Sequence, residues 1–97
     1  MSIEITVVFD VVPDRMESVV AAFRKLCAAT RQEEGALRFD AFRSEEHANA
    51  VVLVEEWADQ EAIDLHMKEA YVADFLAEAD GAFARPAQVH RLRPLGG

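Results

Sequence analysis

The chain has 97 residues, 52% of them hydrophobic and 29% charged, with only four glycines and three prolines. That balance excludes a disordered, collagen-like or linker-rich chain. Eighteen acidic against ten basic residues leave a net charge of −8, which disfavours nucleic acid and anionic membrane surfaces as partners because both repel an acidic protein.

The first predicted element is a strand. Ile3, Ile5, Val7, Phe9 and Val11 alternate with a mixed face holding Val8 and Val12, and Pro13 ends the run. Asp14, with Glu17 three residues on, reads as a capping box opening a helix. Met16, Val19, Val20, Phe23, Leu26, Cys27 and Thr30 then recur at spacings of three and four, one apolar stripe of a helix running to about Glu33. Gly35 is expected to supply positive φ at its C-terminus. A second strand covers about Leu37–Arg43, with Phe39 and Phe42 on opposite faces, and Ser44–Asn49 reads as a hairpin loop. The third strand, Val51–Trp57, is apolar on both faces until Glu55 and Glu56.

Asp59 is expected to cap the next helix, whose apolar positions are Ala62, Ile63, His66, Met67 and Ala70. The apolar phase then shifts to Val72, Phe75, Leu76, Ala79 and Phe83, which predicts a break between about Lys68 and Tyr71. Gly81 and Pro86 close the helical region, and Ala87–Arg93 is the last strand. The order β-α-β-β-α-β predicts an α+β, ferredoxin-like fold: one antiparallel sheet with helices on one face, in a single domain over residues 1–97. Val8, Val12, Phe42 and one side of Val51–Val54 place apolar area on the second face, so a homodimer is expected to cover it. No apolar run approaches the ~20 residues of a membrane span. Met1-Ser2-Ile3-Glu4 lacks the basic start and cleavage site of a signal peptide, so a cytoplasmic location is expected.

Few residues carry chemistry. Cys27 is single and flanked by Leu26 and Ala28, which suits a buried hydrophobe and allows neither an internal disulfide nor a zinc cluster. His66 stands on the helix face turned toward the sheet; its imidazole can take and return a proton near neutral pH, although a histidine in that position is more often a satisfied core residue. Glu55 shares strand parity with Val51, Leu53 and Trp57, so it needs a partner or a raised pKa; an ion pair with Arg31 or Arg38 is the structural expectation. Trp57 reads as core or pocket wall. Tyr71, beside the helix break, could donate its hydroxyl to a substrate oxygen or simply reach solvent. Phe39 and Phe75 are candidates for an aromatic-lined pocket. His47 sits in an acidic loop and His90 in the last strand; neither brings ligands enough for a metal site.

Three stretches give the chain a resemblance to a known family. Thr30-Arg31-Gln32-Glu33-Glu34-Gly35-Ala36-Leu37-Arg38-Phe39 is similar to a TR-x-E-x-G turn leading into the second strand, with Phe39 in place of tyrosine. Glu55-Glu56-Trp57-Ala58-Asp59-Gln60-Glu61-Ala62 is similar to an E-x-W strand end and helix start, and His66 follows Trp57 by nine residues. Together they resemble the antibiotic biosynthesis monooxygenase domain, a dimeric α/β-barrel family. The resemblance implies a cofactor-free oxidoreductase acting on a quinol-like or polyketide-type aromatic, with no metal and no bound cofactor. Within it, His66 and Tyr71 are the candidate catalytic residues, and Trp57, Phe75, Phe39 and Glu55 the candidate substrate contacts. Glu69-Ala70-Tyr71 stands where many relatives have Ser-Pro-His, which counts against a mechanism with two imidazoles. A haem-degrading branch of the fold places tryptophan at the His66 position and a haem-ligating histidine near Leu76; this chain has neither. The resemblance also admits an isomerase of a small carbonyl compound related to quorum-signal breakdown, or a non-catalytic small-ligand-binding module.

Overall fold

The computed structural model describes residues 1–96. Strands β1 (Ile3–Asp10), β2 (Ala36–Arg43), β3 (Ala50–Trp57) and β4 (Gln88–Leu92) form one antiparallel sheet in the order β2-β3-β1-β4. Helices α1 (Met16–Thr30), α2 (Gln60–His66) and α3 (Ala70–Glu78) complete a β-α-β-β-α-β order whose second helical element is broken in two. This is the expected α+β, ferredoxin-like fold.

Alternation along the strands decides what the helices cover. Val7 and Phe9 of β1, Phe39 of β2, and Val51, Leu53 and Trp57 of β3 all point to the helical side and are at most 9% exposed. They meet the α1 stripe of Met16, Val19, Ala22, Phe23, Leu26 and Cys27, together with Val72 and Phe75 of α3. Phe23 links the layers, its ring 5.1 Å from Phe9 and 4.8 Å from Phe75. Trp57 is fully enclosed. An indole of its size buries enough area for about 4–6 kcal/mol of gross hydrophobic stabilisation. The opposite sheet face carries Val8, Val52 and Phe42 side by side, with Thr6 opposite Val54; Phe42 is 48% exposed.

Several local expectations are corrected. Asp14 does not cap α1. Pro13 fixes its own φ and starts a 3-10 turn, Pro13–Arg15, so the helix begins later, with Arg15 at its N-cap and no side-chain cap bond. Arg15 instead ties down the end of α3, donating to the carbonyls of Glu78 (2.9 Å) and Asp80 (3.2 Å). Gly81, with φ 76°, is the left-handed glycine among the described residues. Gly35 does not have positive φ; it is needed for room, because a Cβ there would collide with the Cβ of Ala62 in α2. Met67 and Leu76, expected on apolar faces, are 59% and 57% exposed. α1 stops at Thr30 rather than near Glu33, and Arg31–Glu34 form a turn secured by Glu33 N–H donating to the Thr30 carbonyl at 2.9 Å. That early stop takes Glu33 off the helix.

Candidate functional site

Three segments with different local logic meet beside the lower ends of β2 and β3. The first is the turn after α1, which presents Glu33. The second is β3, where parity aims Glu55 and Trp57 at the helices. The third is the α2–α3 break. Asp59 caps α2 as expected, its carboxylate accepting from Ala62 N–H at 2.9 Å, an interaction of about 1 kcal/mol. α2 lasts seven residues and ends in tight turns, with Lys68 N–H on the Leu65 carbonyl and Glu69 N–H on the His66 carbonyl. The break has a geometric consequence. Residues five apart on a continuous helix point about 140° away from each other. The interruption lets His66 and Tyr71 converge on one carboxylate.

That carboxylate belongs to Glu33. His66 Nδ1 lies 2.8 Å from Glu33 Oε2, and the Tyr71 hydroxyl donates to the same oxygen. The His66 and Glu33 side chains are only 8% and 17% exposed. A carboxylate can only accept, so Nδ1 carries a proton and donates it; in the neutral imidazole Nε2 is then the lone-pair nitrogen. Among the described residues the one fully enclosed side-chain polar atom without a partner is Thr30 Oγ1. Nε2 of His66 also has no hydrogen-bond partner among them, and the residue as a whole is only 6% exposed. Burial, and then the hydrogen bond to Glu33, push the Tyr71 hydroxyl well above the usual phenol range. It stays protonated and serves as a donor to Glu33.

Aromatic rings fix the imidazole from the sheet side. The Trp57 ring centre is 4.7 Å from that of His66, and Phe39 lies 5.5 Å from His66 and 6.0 Å from Trp57. Glu55 accepts from Trp57 Nε1 at 2.7 Å. Burial raises its carboxyl above the ordinary range, with the indole hydrogen bond and the nearby imidazole opposing. The expected ion pair of Glu55 with Arg31 or Arg38 is not formed. Both arginines bind Asp40, at 2.8 and 3.0 Å, because Asp40 lies beside them on the accessible face.

The structure thus gathers His66, Tyr71, Trp57, Phe39 and Glu55. Phe75 belongs elsewhere: it packs on Phe23 between α1 and α3. Glu33 was absent from the candidates read off the sequence, although it is the acidic residue of the TR-x-E-x-G stretch. A carboxylate just past a helix gives no sign by periodicity that it will be enclosed. His66 lines neither of the two clefts beside it. One, bordered by Tyr71, Leu26 and Phe75, holds about 110 Å³. The other, about 620 Å³, is lined by Glu33, Glu34, Asp59, Glu61 and Glu69. His47 and His90 are exposed and remote from the group, His90 lying opposite Thr6 on the outer face of the sheet. Burial raises the Cys27 thiol, so it lacks the thiolate character of a nucleophile.

Comparison with known proteins agrees with the fold. Rv0793 from Mycobacterium tuberculosis superposes with a TM-score of 0.90 at 24% identity, over 100% of this chain and 98% of that one. PA3566 from Pseudomonas aeruginosa does so with 0.89 at 19% identity, over 98% and 95%. Likeness at these identities establishes architecture alone. YcnE of Bacillus subtilis (strain 168), a monooxygenase by name, is 28% identical over 79 residues, 81% of this chain and 83% of YcnE. The protein sll1783 of Synechocystis is 25% identical over 77 residues, 79% of this chain but 52% of sll1783, so the match spans about half that relative's length. The family model described as antibiotic biosynthesis monooxygenase matches residues 2–78, and the chain belongs to that family.

Proposed function

We propose that the protein is a cofactor-independent monooxygenase of an electron-rich aromatic, with His66 as its base, Glu33 and Tyr71 as positioning residues, and a homodimer as its working form. One observation carries the reading: a buried imidazole anchored at Nδ1 by a carboxylate, with Nε2 unpartnered among the described residues. An imidazole held in one tautomer by a carboxylate is the arrangement of a general base.

The reaction needs no electrons from the protein. His66 Nε2 takes a proton from an activated carbon or phenol flanked by aromatic rings. The resulting anion is electron-rich enough to pass one electron to O₂, the two radicals combine to a peroxide anion at carbon, and His66 returns its proton to give the hydroperoxide. Loss of water then leaves a carbonyl, so an aryl CH₂ plus O₂ becomes C=O plus H₂O. Glu33 stabilises the imidazolium formed in the first step, and Tyr71 holds the carboxylate in place. Trp57 and Phe39 exclude water from the anion. Substrate reaches Nε2 by displacement of the short α2 and its junction with α3.

The test compares His66→Ala with the native chain in an oxygen-uptake assay over a panel of hydroquinones and anthrones, with melting followed in parallel. A loss of about 10²–10⁴-fold in turnover is expected, the usual worth of a positioned acid–base group. Unchanged turnover per folded molecule would remove His66 from the chemistry. Proton exchange at substrate carbon under nitrogen, with no oxygen uptake, would point to isomerisation instead.

A further inference from the structure

We propose a second ligand site, in the cleft between α1 and the β2–β3 edge, that takes an aromatic monoanion: a carboxylate on a flat body of about two or three rings. The cleft has a volume of about 460 Å³, within the range of small-molecule sites. Its floor is apolar, formed by Phe23 and Cys27 from α1 and by Ala41 and Val51 from the sheet. Arg24, Arg31 and Arg43 stand around it. Arg24 and Cys27 of α1 and Arg31 at its C-cap succeed one another by three and four residues, so they line up along the cleft.

The charge pattern is the unexpected feature. The chain has eighteen acidic residues and ten basic ones, yet this cleft is lined by three of the arginines and by no acidic side chain among the described residues. Nor are these cations consumed by neighbours. Arg24 forms no ion pair among the described residues. Among the described residues Arg43 donates only to the Ala48 carbonyl, at 3.1 Å. Arg31 contacts Asp40, but Arg38 shares that same carboxylate, so positive charge is left over. Guanidinium groups above an apolar floor suit a ligand with an anionic end and a flat aromatic body: the fork pairs with a carboxylate and the guanidinium plane stacks on rings. The acidic cleft beside Glu33 offers no such match. The proposal does not depend on the chemistry assigned to His66.

The experiment is titration of 2-naphthoate into the native chain by calorimetry, with 2-naphthylmethanol as the uncharged counterpart. Amide chemical shifts locate the contact. Naphthoate is expected to bind one per chain and to move the signals of Cys27, Ala41 and Arg43. The alcohol should bind at least tenfold more weakly. Arg24→Gln with Arg43→Gln should weaken naphthoate at least tenfold, Arg24→Lys should also weaken it because an ammonium keeps the charge but has neither fork nor stacking plane, and Lys68→Gln, a cation elsewhere on the surface, should change nothing. His66→Ala should leave naphthoate binding intact, which separates failure of this site from failure of the catalytic reading. Absence of binding, equal affinity for the alcohol, indifference to the arginine changes, or a cleft closed by the second subunit would each overturn the proposal.

Discussion

Replacing Glu33 by glutamine tests whether His66, Glu33 and Tyr71 act as a unit. The change keeps the side chain's shape and one carbonyl acceptor but removes the charge. Two donors now converge on Glu33 Oε2, His66 Nδ1 at 2.8 Å and the Tyr71 hydroxyl. Charge-assisted bonds are worth about 1.5–3 kcal/mol each and neutral ones about 1 kcal/mol. Losing the charge from both costs up to about 4 kcal/mol, and relief from burying a carboxylate returns part of it. A net loss of about 1–2 kcal/mol should lower the melting temperature of a chain this size by roughly 5–15 °C. Glu33→Ala should be worse, because it leaves two enclosed donors unpaired at about 1–3 kcal/mol each. Turnover should fall about 10²–10⁴-fold in Glu33→Gln, since a neutral amide does not stabilise the imidazolium and its NH₂, when turned toward Nδ1, selects the other tautomer. In the doubly substituted chain, adding Glu33→Gln to His66→Ala should cost little more than His66→Ala alone. The assay is oxygen uptake per folded molecule with melting followed by circular dichroism. Turnover in Glu33→Gln within about threefold of native, against the expected loss, would refute the unit even if stability fell as calculated.

Burial raises the Glu55 carboxyl in the fold, so ionising it opposes folding: stability on this account is greatest at low pH and declines as pH rises from the unfolded pKa through the folded one. Glu55→Gln keeps an acceptor for Trp57 Nε1, and its melting temperature relative to native should therefore rise between about pH 4 and pH 7; a difference that shrinks over that interval would contradict the assigned cause. Gly35→Ala should destabilise by about 1–3 kcal/mol through its collision with Ala62, and Ala62→Gly should restore most of it. If the glycine were there for its backbone freedom, the second change would rescue nothing. Val52 lies between Val8 and Phe42 on the outer sheet face. The native chain should sediment at twice its 10.8 kDa mass, and Val52→Asp should shift it toward the monomer at a cost of about 3 kcal/mol. A native chain that is monomeric at every concentration would end the dimer reading.

Much of the architecture was legible without coordinates because it rests on local periodicity. Alternation in Ile3–Asp10 and Val51–Trp57, the three-and-four spacing from Met16 to Thr30, and the phase slip after His66 each state which face is apolar. An antiparallel sheet with helices on one side follows from those faces. The Asp59 cap was equally plain, since its bond spans three residues. Where competing local signals met, the sequence was a poor guide: Pro13 overrode the Asp14–Glu17 capping pattern, and the tight approach of Ala62, twenty-seven positions away, is what demands Gly35. His66, Tyr71 and Trp57 stood out as residue types, but not what they touch. Glu33 lies thirty-three residues before His66 and thirty-eight before Tyr71. Only the packing of the turn after α1 against the α2–α3 break brings the three together. The same holds for the arginine-lined cleft: Arg24, Arg31 and half of the apolar floor follow α1 and its end, which sequence can trace, but Arg43, Ala41 and Val51 come from strands whose pairing brings them there. Short-range patterns determine elements because their energetics are local. Convergence of side chains across elements is decided by tertiary packing, which the order of residues along the chain does not display.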